Sequence, residues 1–156
     1  MQKITPFLWF DGKAEEAVNF YASIFKNSKI TSMKHWGEGS PFPKDQVMTA
    51  TVELDGLKFH AFDAGPMFKF TEAISFFVDC TDQEEVNHFW NKLSEGGEES
   101  RCGWLKDKFG ISWQIVPKAL PQLMGDKDPE KAKRVMMAMM QMSKIIIADL
   151  EKAHAG

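Results

Sequence analysis

Apolar positions along the 156-residue chain change their period several times, and each change marks an element. Ile4 to Phe10 is short and aromatic-rich, which predicts a buried strand. Ala14, Ala17, Val18, Tyr21, Ile24 and Phe25 then recur at three- and four-residue steps, with Glu15, Glu16 and Asn19 on the other face, so a helix follows. Asn27-Ser28 ends it. A strand around Ile30 to Trp36 runs into the loop Gly37 to Pro43. Val47 to Leu54 and Leu57 to Phe62 flank Asp55-Gly56, the pairing that favours a two-residue type I′ hairpin.

The same grammar starts again near Ala73. Ile74 to Asp79 reads as a strand, and Thr81 with Glu84 three residues on predicts a capping box that opens a second helix. Val86, Phe89, Trp90 and Leu93 form its apolar face, and Gly96-Gly97 stops it. Arg101 to Lys106 and Ile111 to Val116 predict a hairpin across Asp107 to Gly110, closed by Pro117. An offset of 69 lays Glu15-Glu16 on Glu84-Glu85, Phe20 on Phe89, Tyr21 on Trp90 and Ile24 on Leu93. An offset of 54 lays Gly56-Leu57-Lys58-Phe59-His60 on Gly110-Ile111-Ser112-Trp113-Gln114. Two copies of one supersecondary unit are implied, with shorter middle strands in the second. Past them, Asp128-Pro129 opens a further helix whose stripe is Val135, Met136, Met139 and Met140. Met142, Ile145, Ile146 and Leu150 continue that stripe beyond a break at Ser143. Such a helix is expected to pack on its own sheet or on a partner subunit.

Composition narrows the partners. Apolar residues make up 44% and charged residues 26%, ordinary for a globular domain, and the formal net charge of −3 comes without a basic block. Nucleic acid is therefore not an expected partner, since phosphate binding needs clustered Lys and Arg. No apolar run approaches a membrane span and no secretion signal opens the chain, so a cytoplasmic protein is expected. Cys80 and Cys102 read as reduced thiols packed inside rather than as a disulfide.

Leu8-Trp9-Phe10-Asp11-Gly12, Glu15-Glu16-Ala17, Phe20-Tyr21, Ile24-Phe25, Cys102-Gly103-Trp104-Leu105-Lys106-Asp107, Phe109-Gly110 and Ser112 to Pro117 carry a resemblance. Together with the Met-rich tail, they make the chain resemble the PhnB-like family, whose members are labelled 3-demethylubiquinone 3-methyltransferase-like. That family is a branch of the vicinal oxygen chelate superfamily, which contains glyoxalases, bleomycin-resistance proteins and dioxygenases. The resemblance implies an α+β fold of two βαβββ modules, about 1–63 and 73–117, forming a cupped mixed β-sheet over residues 1–117. Residues 118–156 would be a C-terminal helical extension of the same domain. It also implies a small-molecule pocket in the concave face and a homodimer.

Related metalloenzymes place ligands on the first and last strand of each module, which here fall on Pro6, Ser75, His60 and Gln114. Pro6 offers no donor, serine is a poor ligand for a divalent ion, and a catalytic metal needs about three ligands of His, Asp, Glu or Cys type. No metal and no cofactor are expected. Strand alternation puts Lys58, His60 and Phe62 on one face and Leu57, Phe59 and Ala61 on the helix side. It likewise separates Ser112, Gln114 and Val116 from Ile111, Trp113 and Ile115. The expected ligand pocket therefore contains Leu8, His60, Ser75 and Gln114, with the imidazole available as acid or base and the amide orienting a ligand. Trp9 and Trp104 are left as either core or cavity residues.

Three functions compete at this level. One is a metal-independent protein that binds a small organic ligand. Another is a metal-dependent lyase, isomerase or dioxygenase of the same superfamily. The third is the quinone-pathway methyltransferase of the family label. A Gly-rich strand-to-helix turn in a doubly wound sheet commonly binds S-adenosylmethionine, but Gly37/Gly39 and Gly96-Gly97 do not stand in such a turn. The first reading is preferred, and the residues assign no reaction.

Overall fold

A computed structural model describes residues 1–156, which form two compact units, 1–70 and 71–156. In the first, β1 (Phe7–Phe10), α1 (Ala14–Ile24), β2 (Ser28–His35), β3 (Val47–Leu54) and β4 (Leu57–Asp63) build one βαβββ module. Its sheet has the order β1-β4-β3-β2, with β1 parallel to β4 and the other pairs antiparallel. The β3–β4 turn is the expected one: Asp55 and Gly56 both take positive φ, 49° and 84°, as a type I′ turn requires. That turn sets the register, Leu54 opposite Leu57, and hence Thr51 opposite His60 and Val52 opposite Phe59.

Helix α1 lies against β3 and β4 and buries Ala17, Val18, Tyr21 and Ile24, while Ala50, Val52, Phe59 and Ala61 are buried on the sheet. Each large side chain withdrawn from water in this way contributes roughly 1.5–3 kcal/mol. Lys13, at the N-cap, makes no side-chain cap bond. Asp63, at the end of β4, supplies the acceptor instead: its carboxylate takes the amides of Lys13 (3.0 Å) and Ala14 (3.1 Å) and is itself 1% exposed. A negative group at a helix N-terminus also complements the helix dipole. Burial nevertheless pushes the Asp63 carboxyl above its ordinary value, against the opposing pull of these amide bonds.

The second unit repeats the plan with β5 (Ser75–Cys80), α2 (Gln83–Leu93), β6 (Glu98–Glu99), β7 (Trp104–Lys106) and β8 (Ser112–Pro117). Its sheet order, β5-β8-β7-β6 with β5 parallel to β8, copies the first. The helix start lies one residue later than Thr81-Glu84 suggests. Asp82 is the N-cap and accepts the amide of Glu85 at 2.9 Å, while Glu85 reaches back to the amide of Thr81. Only half of the expected box is present: the N-cap side chain takes the Glu85 amide, but the returning bond goes to Thr81, one residue before the N-cap. Arg101 to Lys106 is not one strand: Cys102 and Gly103 take φ of 60° and 83°, and only Trp104 to Lys106 pair with β8. Gly103 has no room for a side chain, because a Cβ there would stand 2.9 Å from the Ile115 carbonyl oxygen.

Asp107 organises the β7–β8 turn. Buried at 2% exposure, its carboxylate accepts the amides of Phe109 and Ile111 and the indole N–H of Trp113 (2.9 Å). Beyond β8 come α3 (Ala119–Met124), which the apolar pattern did not signal, α4 (Pro129–Met140) and α5 (Ile147–Ala155). The break expected at Ser143 lies in the segment between α4 and α5. Val116, Leu120, Val135, Ile145 and Leu150 form one cluster, with Met139 and Met142 packed on it. Part of the Met-rich stripe thus covers the chain's own second unit, while Met136, Met137 and Met140 stay exposed. The amides of Cys102 and Gly103 donate to the carbonyls of Met142 and Ser143, and the Gln83 side chain bonds Ile145 and Ile147. The extension belongs to the second unit. No helix is long and apolar enough to cross a membrane.

Candidate functional site

The first sheet has one face under α1 and one of different chemistry. In the second, α2 lies on the Trp113 side, and the face of Ser112 and Gln114 ends at Val116, which is buried against the helical extension rather than open. In the first unit, Phe59 (5% exposed) and Ala61 (1%) lie on the α1 side, and alternation sends Lys58, His60 and Phe62 to the other. The neighbours of His60 follow from register: Phe7 on β1 and Thr51 on β3. Thr51 Oγ1 and His60 Nδ1 are 3.0 Å apart, so one ring nitrogen is engaged and Nε2 takes the opposite donor or acceptor role. Around this pair the face is aromatic. Phe7 meets the His60 ring edge-on at 6.2 Å and Phe62 at 5.5 Å, and Trp9 packs on Phe62 at 5.1 Å. The indole N–H groups of Trp9 and Trp36 donate to the carbonyls of Gly65 and Asp63, which fixes both rings.

Leu8 does not belong to this face. It pairs with Ala61 in the parallel ladder, one step out of phase with His60, so it shares the helix-side face. Phe7 and Trp9 are the β1 residues beside the histidine. Thr51 also escaped the sequence reading, although its signal was present: a two-residue turn at Asp55-Gly56 dictates that 51 opposes 60.

In the second unit Trp113 (3% exposed), Ile115 and Leu105 are buried with α2, as the alternation predicts. Ser75, Ser112 and Gln114 fall on the opposite face, and Gln114 Nε2 donates to Ser75 Oγ at 3.0 Å. Within each unit, then, the position paired by the internal repeat carries a side-chain hydrogen bond: His60 with Thr51 and Gln114 with Ser75. Trp104, opposite Gln114, is half-buried on this same face. Cys80 is fully buried, and burial pushes its thiol up to about 12, which leaves it inert as a nucleophile.

The side chains on these faces do not suit a divalent metal. Pro6 offers only its carbonyl, which accepts the His60 amide, and Gln114 and Ser75 are neutral and bonded to each other. Glu53, the acidic residue one step along β3 from Val52, is ion-paired with Lys29. Nowhere do three His, Cys, Asp or Glu side chains gather as a ligand set.

Comparison with known proteins agrees with this architecture. Residues 2–116 match the family model described as 3-demethylubiquinone-9 3-methyltransferase. A PhnB protein from Bacillus cereus is 40% identical with a TM-score of 0.71, over 74% of this chain and 99% of that one. Protein PA1353 from Pseudomonas aeruginosa shares the fold at 24% identity and a TM-score of 0.64, over 75% and 98% of the two chains. The fosfomycin resistance protein FosX from Listeria monocytogenes, solved with Mn(II) and sulfate, shares it at 14% identity and 0.53, over 72% and 90%. No curated protein matches the chain. Two modules with identical strand order, together with the family model and the Bacillus cereus relative, show that the chain belongs to the PhnB-like, 3-demethylubiquinone-9 3-methyltransferase family.

Proposed function

We propose that this protein binds a small organic molecule, without a metal, on the sheet faces that carry His60 and Gln114. The observation that supports the reading most is the His60–Thr51 pair set among Phe7, Trp9 and Phe62. An apolar aromatic surface with one positioned polar group is what small-molecule sites are commonly made of. Ser75 and Gln114 form the neutral counterpart on the second unit. His60 Nε2 is the group suited to bond a ligand's polar atom, while the aromatic rings supply the contact area.

The methyltransferase of the family's description is disfavoured by topology. S-adenosylmethionine commonly sits at a Gly-rich turn of a doubly wound parallel sheet, whereas both sheets here are four-stranded and mixed. We further propose a cytoplasmic homodimer, the exposed Met136, Met137 and Met140 being available to a second copy. Light scattering should then give twice 17.7 kDa at micromolar concentration, and a mass of one chain would oppose it. The binding reading is tested by thermal-shift screening of small organic compounds on protein assayed for metal. Hits are expected with far less than one equivalent of zinc, iron, manganese or nickel bound. Stoichiometric metal held through His60, or hits that appear only on metal addition, would overturn it.

A further inference from the structure

Ser112 is 2% exposed, and its hydroxyl has no hydrogen-bond partner. Ser28 Oγ is in the same condition, but Ser28 pairs with Leu54 and so lies on the face under α1. Ser112 lies on the other kind of face, the one it shares with Gln114. Its neighbours in the ladder are Ser75 on β5 and Lys106 on β7. The next row on that face is Phe77, Gln114 and Trp104, with Phe77 59% exposed. A row of hydroxyls therefore borders a row of two aromatic rings flanking an amide.

The donor count of the first row is specific. Ser75 Oγ already accepts from Gln114 Nε2, so its own O–H remains to be donated, and the Ser112 O–H has no acceptor. Adjacent strands are about 4.8 Å apart. Two hydroxyls at that spacing can both reach one oxygen lying between them at about 2.7–2.8 Å from each. A carbonyl oxygen, with two lone pairs, is such an acceptor. Charge argues for a neutral group rather than a carboxylate. Lys106 is already paired with Glu72 at 2.5 Å, and Glu98 stands opposite it on β6, so the surroundings carry one cation and two anions.

Resting on the reading that these faces bind a small organic molecule, we infer that the second unit selects a flat aromatic ligand bearing an uncharged carbonyl. Ser75 and Ser112 donate to its oxygen, and Phe77 and Trp104 hold its ring. The test is titration of the full chain with 2-acetonaphthone and, separately, with 2-naphthoate, following the Trp indole N–H signals by NMR. Trp104→Phe identifies the signal of interest. The ketone should shift the Trp104 signal saturably, and naphthoate should bind at least about tenfold more weakly. Ser112→Ala should fold as well as the wild type, since it removes an unpartnered hydroxyl, yet weaken ketone binding by about tenfold. Equal binding of ketone and naphthoate, or ketone binding unchanged in Ser112→Ala, would overturn the inference, the latter because the hydroxyl would then serve only an ordered water. If the ketone leaves Trp104 unmoved while other compounds bind in a His60-dependent way, the carbonyl assignment fails and the broader binding reading stands. If nothing binds in a His60-dependent way either, both fall.

Discussion

Asp63 in the first unit and Asp82 in the second perform the same task from opposite directions. Asp63 reaches α1 from the end of the last strand, some fifty residues away in the chain, and does so fully buried. Asp82 caps α2 from the adjoining position, exposed, accepting the Glu85 amide while the Glu85 carboxylate takes the amide of Thr81. The repeat matches Asp63 with Pro117, which has no carboxylate to offer and instead leads into the helical extension. The strands differ in the same sense. Those of the first unit run to eight residues and make their own ladder, whereas β6 and β7 have two and three. What the second sheet lacks in ladder is made up by the Asp107 carboxylate and by the cluster of Val116 with the tail. One topology is thus held by long-range contacts within the module in one copy, and by local caps plus an added layer in the other.

Breaking these supports should reveal the asymmetry. The largest effect is expected from Trp113→Ala, which empties a core position and leaves the Asp107 carboxylate short of a partner: about 3–5 kcal/mol, read from urea denaturation. Next comes Asp63→Ala, which leaves the Ala14 amide buried without an acceptor and should cost about 1–3 kcal/mol. Asp82→Ala should cost about 1 kcal/mol, the ordinary worth of an exposed N-cap. Equal costs for the two aspartates would remove the contrast drawn between the units.

The pH dependence sharpens it. Because burial raises the carboxyl of Asp63 in the folded state, the native protein binds that proton more readily than the unfolded chain. This contribution to stability is full below the ordinary carboxylate range and is lost as pH rises through the folded value. Compared with Asp63→Asn, the wild type should therefore lose stability across that acidic window, measured by denaturation at a series of pH values. The smallest structural effect is expected from His60→Ala. The half-buried ring should cost under about 1 kcal/mol while ligand binding drops measurably in a thermal-shift titration.

The fold was legible where pattern and turn chemistry agreed. Asp55-Gly56 announced both a hairpin and its register, and the helix stripes through Tyr21 and Trp90 marked the two cores. Alternation then sorted Phe59 and Trp113 from His60 and Gln114. What stayed hidden depends on pairing between distant segments. Nothing near Ala14 signals that its cap is Asp63, and nothing near Leu8 shows that β1 aligns with β4 so that Phe7, not Leu8, stands beside His60. The two-residue β6 and the Cys102-Gly103 turn are too short to carry a period at all. The candidate site was therefore half legible: alternation gives the face on which His60 and Gln114 lie, whereas their neighbours across the ladder, apart from Ser75, depend on register.

The central claim, that ligands meet the His60 face while Trp113 is structural, is met most directly by NMR during a small-molecule screen. Hits should move the imidazole signals of His60 and the ring signals of Phe62, leaving the Trp113 indole signal in place. Hits that shift the Trp113 indole while His60 stays unmoved would contradict the account.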